Sequence, residues 1–248
     1  MDCSLNVPGR MAIIAGVVKN TARTQLRELS VVIPALNAAS RLAATLKALT
    51  GDAELGEIIV IDGGSTDRTR TEAANGGARV FTVGRGRGIQ LAAGAEQASG
   101  AWLLLLHADT VLTPGWAEAT AAHMCCWPGH AAYFRFALDS ADRRARTLER
   151  WVARRCSVLG LPYGDQGLLI HRDLLCAVGG VRPLPLMEDV DLVRRIGRRR
   201  LRALDIAAVT AANRWERAGW GRRSARNLFC LGLYFFRIPP STIARLYE

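Results

Sequence analysis

Asp109 closes the stretch LLLLHADT, in which Leu103 to Leu106 run straight into His107, Ala108, Asp109 and Thr110. The arrangement has an upstream counterpart, where Ile58, Ile59, Val60 and Ile61 lead into Asp62, Gly63, Gly64, Ser65, Thr66 and Asp67. Apolar runs bounded in this way suit strands buried on both faces, and the ligands of open α/β sheets collect beyond the carboxyl ends of such strands. Carboxylates delivered there can hold a hard divalent cation or accept a proton. A third acidic site, Glu188–Asp189, opens a predicted helix; acids are favoured at that position by the helix dipole, so taken alone the pair reads as a capping device. Arg85 and Arg87 lie in GRGRG (residues 84–88), whose glycines let backbone approach phosphate while two guanidinium forks supply charge. The other reading of this loop is a tight turn with two solvated arginines. Its spacing is not that of a dinucleotide fingerprint, which also requires the first βα turn. His107 reads either as a metal ligand or as a strand-end histidine that is satisfied locally or hydrogen-bonds the ligand. His123, His130 and His171 have no ligand spacing and read as structural.

Positioning these groups requires alternating strands and helices. Leu29 to Pro34 predicts a first strand, with Asn37 capping the following helix and Leu42, Leu46 and Leu49 at helical spacing toward the sheet. Strands follow at Ile58 to Asp62 and Arg79 to Val83, then a helix from Ile89 to Ala98 and the strand ending at Asp109. Short connections between such elements imply right-handed βαβ units and a parallel sheet. Beyond it the pattern predicts a strand at Ala131 to Leu138, an arginine-rich helix at Ala141 to Leu159, a strand at Gly167 to Ile170 and a helix at Glu188 to Arg198. A strand at Leu201 to Ile206, a polar turn through Arg214 and an amphipathic helix from Arg222 complete the chain. The fold class is α/β, a mostly parallel Rossmann-like sheet with helices on both faces and a C-terminal helical elaboration.

With 248 residues, half of them apolar, the chain can bury a substantial core, and no linker or internal repeat divides it. The reading is an N-terminal extension (1–28, with Met11 as an alternative start), a main domain (29–212) and a C-terminal helical segment (213–248) packed on it. Apolar stretches fall short of the roughly 20 residues a spanning helix needs, and no signal-peptide pattern follows Arg10. Six cysteines, with no short paired spacing except the adjacent Cys125 and Cys126, which cannot easily bridge, suit neutral thiols in a reducing cytosol. The charge of +11 is carried by arginine, Lys19 and Lys47 being the only lysines. That bias suits an anionic substrate, nucleic acid or an acidic membrane surface, and genome base composition alone is another source of arginine over lysine.

Four segments in order, LSVVIPALN (29–37), VIDGGSTDRT (60–69), ASGAWLLLLHADT (98–110) and GGVRPLPLMEDVDLVRR (179–195), resemble the family 2 glycosyltransferases, over about residues 29–200. HADT, GDQ (164–166), PLMEDV and RWERAG (214–219) are similar to the small bacterial subgroup labelled as arsenosugar-biosynthesis-type glycosyltransferases. The resemblance implies the GT-A, nucleotide-diphospho-sugar transferase fold and transfer of a sugar from a nucleoside-diphosphate donor to an acceptor hydroxyl, with Mg²⁺ or Mn²⁺. It implies that Pro34, Asn37 and Asp62 surround the nucleotide, that Arg85 and Arg87 lie near the diphosphate, and that His107 and Asp109 complete the donor site with Asp109 on the metal. Asp165, Gln166, Glu188, Arg214 and Trp215 fall in the acceptor region, and Asp189 matches the catalytic base. The chain departs from the family at Gly63, where many relatives have a second aspartate; at His107, which replaces the first acid of the metal motif; and at Ala92, where asparagine is frequent.

The chemistry of such a transfer fits these residue types. The leaving diphosphate needs its growing charge neutralised by an Asp-held cation and arginines. A carboxylate opposite it on the far side of the anomeric carbon lets a hydroxyl attack in line, which inverts configuration, and Asp189 is placed for this. Retention uses a different arrangement on the same fold, and the residue types leave it open. A nucleotidyltransferase would need a glycine-rich phosphate loop after the first strand, which residues 35–39 do not supply. A non-catalytic basic module for RNA or membrane explains the arginines but not acids at strand ends, so no nucleic-acid partner is expected. Leu228 to Phe236 lie between Arg222, Arg223, Arg226 and Arg237, which suits packing against the domain or lying in a membrane interface as a peripheral contact at the inner face of the cytoplasmic membrane; apolar residues around so much of the helix favour packing.

Overall fold

The computed structural model describes residues 24–51 and 54–247, and at Arg214 the backbone alone. Its strands are β1 (Leu29–Ala35), β2 (Glu57–Asp62), β3 (Arg79–Thr82), β4 (Trp102–Leu105), β5 (Thr110–Leu112), β6 (Ala131–Asp139), β7 (Leu168–His171) and β8 (Leu201–Ala211). They form one sheet in the order β3-β2-β1-β4-β7-β6-β8-β5. The first four are mutually parallel, β7 is antiparallel to both its neighbours, β6 and β8 are parallel, and β5 runs antiparallel to β8.

The central strands are buried on both faces, which is why they read as continuous runs rather than alternations. Val31, Ile33, Val60 and Leu104 face one side, where α1 (Ala39–Thr50) and α4 (Trp116–Cys126) cover them. Val32, Ile59, Ile61 and Leu103 face the other, beneath α3 (Arg87–Gln97), α6 (Arg172–Ala177) and α7 (Glu188–Ile196), α2 (Thr69–Asn75) lying back on the first side. Leu42, Leu46 and Leu49 are buried as their spacing predicts, each contributing roughly 2 kcal/mol. A third cluster joins Tyr133, Phe136 and Leu138 of β6 to α5 (Arg143–Leu159) and to Trp215 and Trp220. Trp215 lies in α8 (Asn213–Ala218), Trp220 opens α9 (Trp220–Phe235), and α10 (Pro240–Tyr247) follows.

Pro34 sits in a central strand without breaking it. Pairing of β1 with β4 ends at Val32 and Leu105, with a last bond from Leu106 N–H to the Val32 carbonyl, so the missing N–H of Pro34 faces an edge that β4 has already left.

Several elements differ from the sequence expectation. The strand predicted to end at Asp109 stops at Leu105; residues 106–109 turn, Thr110 N–H bonding the His107 carbonyl, and β5 starts at once. The strand predicted at Leu201 to Ile206 runs on to Ala211, paired along its length with β6. The polar turn through Arg214 is the helix α8, and α9 begins at Trp220. Of the stretch read as a loose extension, residues 1–23 lie outside the described residues, while Leu26 is buried and its carbonyl accepts a bond from Gly56 N–H.

Candidate active site

Three loops meet where the parallel strands end. The first follows β1. Asn37 does not cap α1; its φ is +49°, and its Oδ1 accepts from Thr66 N–H at 2.9 Å, so it pins the β1 loop to the β2 loop. The orphan N–H groups at the start of α1 are met across the gap instead, Ala38 by Thr69 Oγ1 (2.8 Å) and Ala39 by Asp67 Oδ2 (3.2 Å). Asp62, fully buried, accepts from Gly64 N–H (3.1 Å) and Ser65 N–H (3.0 Å) and so shapes its own loop. Gln90, unsignalled in the sequence, reaches from α3 and donates to the carbonyls of Ala35 (2.8 Å) and Ile61 (2.7 Å), tying the two strand ends together. A Cβ on Gly63 would lie 3.1 Å from the Gln90 carboxamide. A side chain at Gly63 would therefore press on Gln90.

The second loop carries His107 and Asp109 from the end of β4. Asp109 is half-buried and, among the described residues, has no hydrogen bond or ion pair. The third is the Gly164–Gln166 turn. Because β7 is antiparallel to β4 with Leu168 opposite Leu105, the residues before β7 fall beside those after β4. Thr110 and Thr210 join hydroxyls at 3.0 Å, and Thr210 Oγ1 donates to the Asp165 carbonyl at 3.3 Å, which fixes the two loops together.

Asp189 enters from α7. Met187 precedes the helix with φ +64°, a left-handed conformation that costs a side-chain-bearing residue about 1–2 kcal/mol. The turn aims Asp189 at the loops: Oδ1 accepts from Val190 N–H and Oδ2 from Gly164 N–H, each at 2.8 Å. Gly164 has no room for a side chain, since a Cβ there would lie 2.6 Å from His107 Nε2 and 3.3 Å from Asp189 Oδ2. A pocket lined by Leu106, His107, Tyr163, Gly164, Glu188 and Asp189 opens beside it.

Charge is concentrated here. Glu188 is buried and ion-paired through Oε1 with Arg87 Nε, while its Oε2 has no partner; burial and the neighbouring Asp189 push its carboxyl above the usual range, against the pull of Arg87. Burial opposes the charge on Arg87, and Glu188 and Asp189 outweigh it and hold the guanidinium protonated. Arg87 Nη1 also lies 3.2 Å from His107 Nε2. A guanidinium can only donate, so in this contact the imidazole nitrogen can only accept. Asp165 is raised to about 6, first by burial and then by Asp189 and Asp109, against Arg155 and Arg87. Its Oδ1 is a buried acceptor without a partner. Carboxylate oxygens unengaged at Asp109 and orphaned at Asp165 are the donor set a hard divalent cation takes.

The structure therefore gathers Arg87, His107, Asp109, Asp165, Glu188 and Asp189. Arg85 stays exposed on the loop before α3. Gln166 is buried with its amide spent inside the protein, Nε2 on the Phe134 carbonyl (3.0 Å) and Oε1 accepting from Tyr163 N–H (3.2 Å) and Arg155 (3.3 Å), so it anchors the turn. Trp215 is likewise buried, packed near Phe136 and beneath the Arg223 guanidinium. Arg155, one of many arginines on α5 and so without a sequence signal, stacks 3.4 Å above the Tyr163 ring and donates to the Leu161 carbonyl.

Sheet order, helices on both faces and acids at the strand ends define a GT-A, nucleotide-diphospho-sugar transferase fold. The model of glycosyl transferase family 2 matches residues 30–173, more than half of the chain, and the chain belongs to that family. It is a glycosyltransferase. Its fold is similar to that of glucosyl-3-phosphoglycerate synthase from Mycobacterium tuberculosis. The structure of that protein with Mn²⁺ and UDP-glucose aligns at a TM-score of 0.57 and 20% identity, covering 79% of this chain and 74% of that one. Its complex with Mg²⁺ and UDP aligns at 0.56 and 21%, covering 77% and 73%. No curated protein matches the chain significantly.

Proposed function

We propose that this glycosyltransferase moves a sugar from a nucleoside-diphosphate donor to an acceptor hydroxyl with inversion, Asp189 acting as the base. The observation that carries this reading is the Asp189 carboxylate, held by the N–H groups of Val190 and Gly164 at the same strand-end floor as Asp109, Asp165 and Arg87. A base fixed by backbone keeps its geometry through the reaction, and general-base help is worth roughly 10²–10⁴-fold in rate.

Asp109 would hold the divalent cation, Mg²⁺ or Mn²⁺, with Asp165 Oδ1 facing the same space. A cation there supplies positive charge to the departing diphosphate. Asp109 is the only acid of HADT, so the remaining oxygens would come largely from the donor, and cation and nucleotide would bind as a unit. Arg87 supplies fixed positive charge, and the loops of Pro34, Asn37 and Asp62 form the wall for the nucleoside. The mycobacterial synthase structures, which hold Mn²⁺ with UDP-glucose, support this class of donor. Acceptor contacts are assigned to Asp165, Glu188 and the surroundings of the pocket.

The test is isothermal titration of UDP and GDP into the protein and into Asp109→Ala, each with and without Mn²⁺. The native protein binds one nucleotide at least about tenfold more tightly with the cation, and Asp109→Ala loses that enhancement. Equal enhancement in both proteins removes the metal assignment.

A further inference from the structure

Helix α9 has two apolar faces. One is spent inside: Trp220, Cys230 and Leu231 are buried, and Tyr234 hydroxyl meets Asp191 of α7 at 3.3 Å. At 100° per residue, Ala225, Leu228, Phe229, Gly232, Phe235 and Phe236 fall on the opposite side. That side faces solvent, with Leu228 69%, Phe229 59% and Phe236 83% exposed. The sequence favoured packing because apolar residues encircle the helix; the structure shows that encirclement to be one buried face and one bare one. Ala225, Leu228, Phe229 and Phe236 form an exposed apolar patch of the kind that marks an interaction surface, with the Arg194 guanidinium over the Phe235 ring (4.9 Å) at its edge.

The surrounding charge identifies the partner. From Arg217 to Tyr247 there are six arginines and no Asp or Glu. Arg223 and Arg226 lie over the rings of Trp215 and Tyr247, while Arg222 and Arg237, next to the apolar face in sequence, are exposed, as is Arg245 of α10. A second copy docked symmetrically would bring arginines against arginines. An anionic bilayer surface instead gives phosphate groups to the arginines and its acyl boundary to leucine and phenylalanine. We propose that the exposed face of α9 seats the enzyme peripherally on an anionic lipid surface. The inference is independent of the reading of the active site, from which it differs in residues and in readout.

The experiment is flotation of the full-length protein with phosphatidylcholine vesicles with and without phosphatidylglycerol, in low salt and in about 0.5 M NaCl. The comparison variant is Phe229→Ser/Phe236→Ser; both side chains are exposed, so its thermal melt stays with that of the native protein. Native protein floats with the anionic vesicles at least about tenfold better than with neutral ones, and salt reduces this. The double variant loses at least about tenfold of that binding. Native protein that ignores anionic vesicles, or a double variant that binds as well as native, overturns the proposal. So does self-association in sedimentation that the double variant abolishes without any vesicle binding, which would assign the face to a second copy.

Discussion

Glu57 is the charge whose loss is most measurable, and it lies at the end of the sheet remote from the candidate site. It starts β2, and its carboxylate accepts from Ser30 Oγ, Ser99 N–H and Ser99 Oγ, each at 2.7 Å, while pairing with Arg79 at the start of β3. Burial works to raise its pKa, but these four donors together outweigh it and hold the carboxyl at about 2, against the ordinary 4.5 of a glutamate in an unfolded chain. A shift of that size corresponds to about 3 kcal/mol, and the half-exposed Arg79 partner reduces this to about 2–3 kcal/mol. Because the folded pKa is depressed, the contribution is fully present above the unfolded value and is lost as pH falls from 4.5 toward 2. In Glu57→Gln, urea unfolding followed by circular dichroism should show a stability deficit of about 2–3 kcal/mol that is equal at pH 7 and pH 5, falling to little more than half at pH 3.5. A deficit that does not change with pH, or one below about 0.5 kcal/mol at pH 7, refutes the reasoning.

Two further substitutions probe the loops. Gly164→Ala places a methyl 2.6 Å from His107 Nε2, so it should displace His107 or Asp189 and cut turnover about 10²-fold with donor affinity nearly unchanged, as read by steady-state kinetics and titration; unchanged turnover would show that the contact is soft. Gly63→Asp forces a side chain against Gln90 and should lower stability by about 1–3 kcal/mol in thermal denaturation, with Gln90→Ala added in the same chain restoring part of it; a single variant as stable as the native protein would break the pairing of these two residues.

The parallel half of the sheet was legible because Val31–Ile33, Ile58–Ile61 and Leu103–Leu105 are buried on both faces, so burial shows directly as unbroken apolar runs. β8 was read only as far as Ile206 because the buried half that follows is built on Ala207, Ala208 and Ala211, small residues with weak β propensity that show no apolar run or alternation. The short helix α8 was read as a turn for a related reason: its stability comes from Trp215 packing near Phe136, a tertiary contact with no local trace. At the site, Asp109 and Asp189 were visible through position at a strand end and a helix start. What linked them was not. Arg87 was assigned to phosphate from its glycine-rich setting, yet it pairs with Glu188, 101 residues on, and no local pattern encodes that distance. Gln166 and Trp215 were assigned to the acceptor from their motifs, whereas the structure spends both on packing. Asn37 had the right residue type for a cap, but the β2 loop supplied the caps and left Asn37 to bind Thr66.

The central claim is that Asp189 takes the proton of the acceptor. Asp189→Asn retains the size of the side chain and an oxygen for the Gly164 or Val190 N–H, but has no carboxylate to accept a proton. The decisive measurement is release of nucleoside diphosphate from the sugar nucleotide at saturating donor and Mn²⁺, with water standing in for the acceptor, alongside donor affinity by titration. Turnover should fall at least about 10²-fold while donor affinity stays within a few-fold, the pattern of an interaction made only in the transition state. Undiminished turnover in Asp189→Asn would contradict the assignment of the base and, with it, the case for inversion.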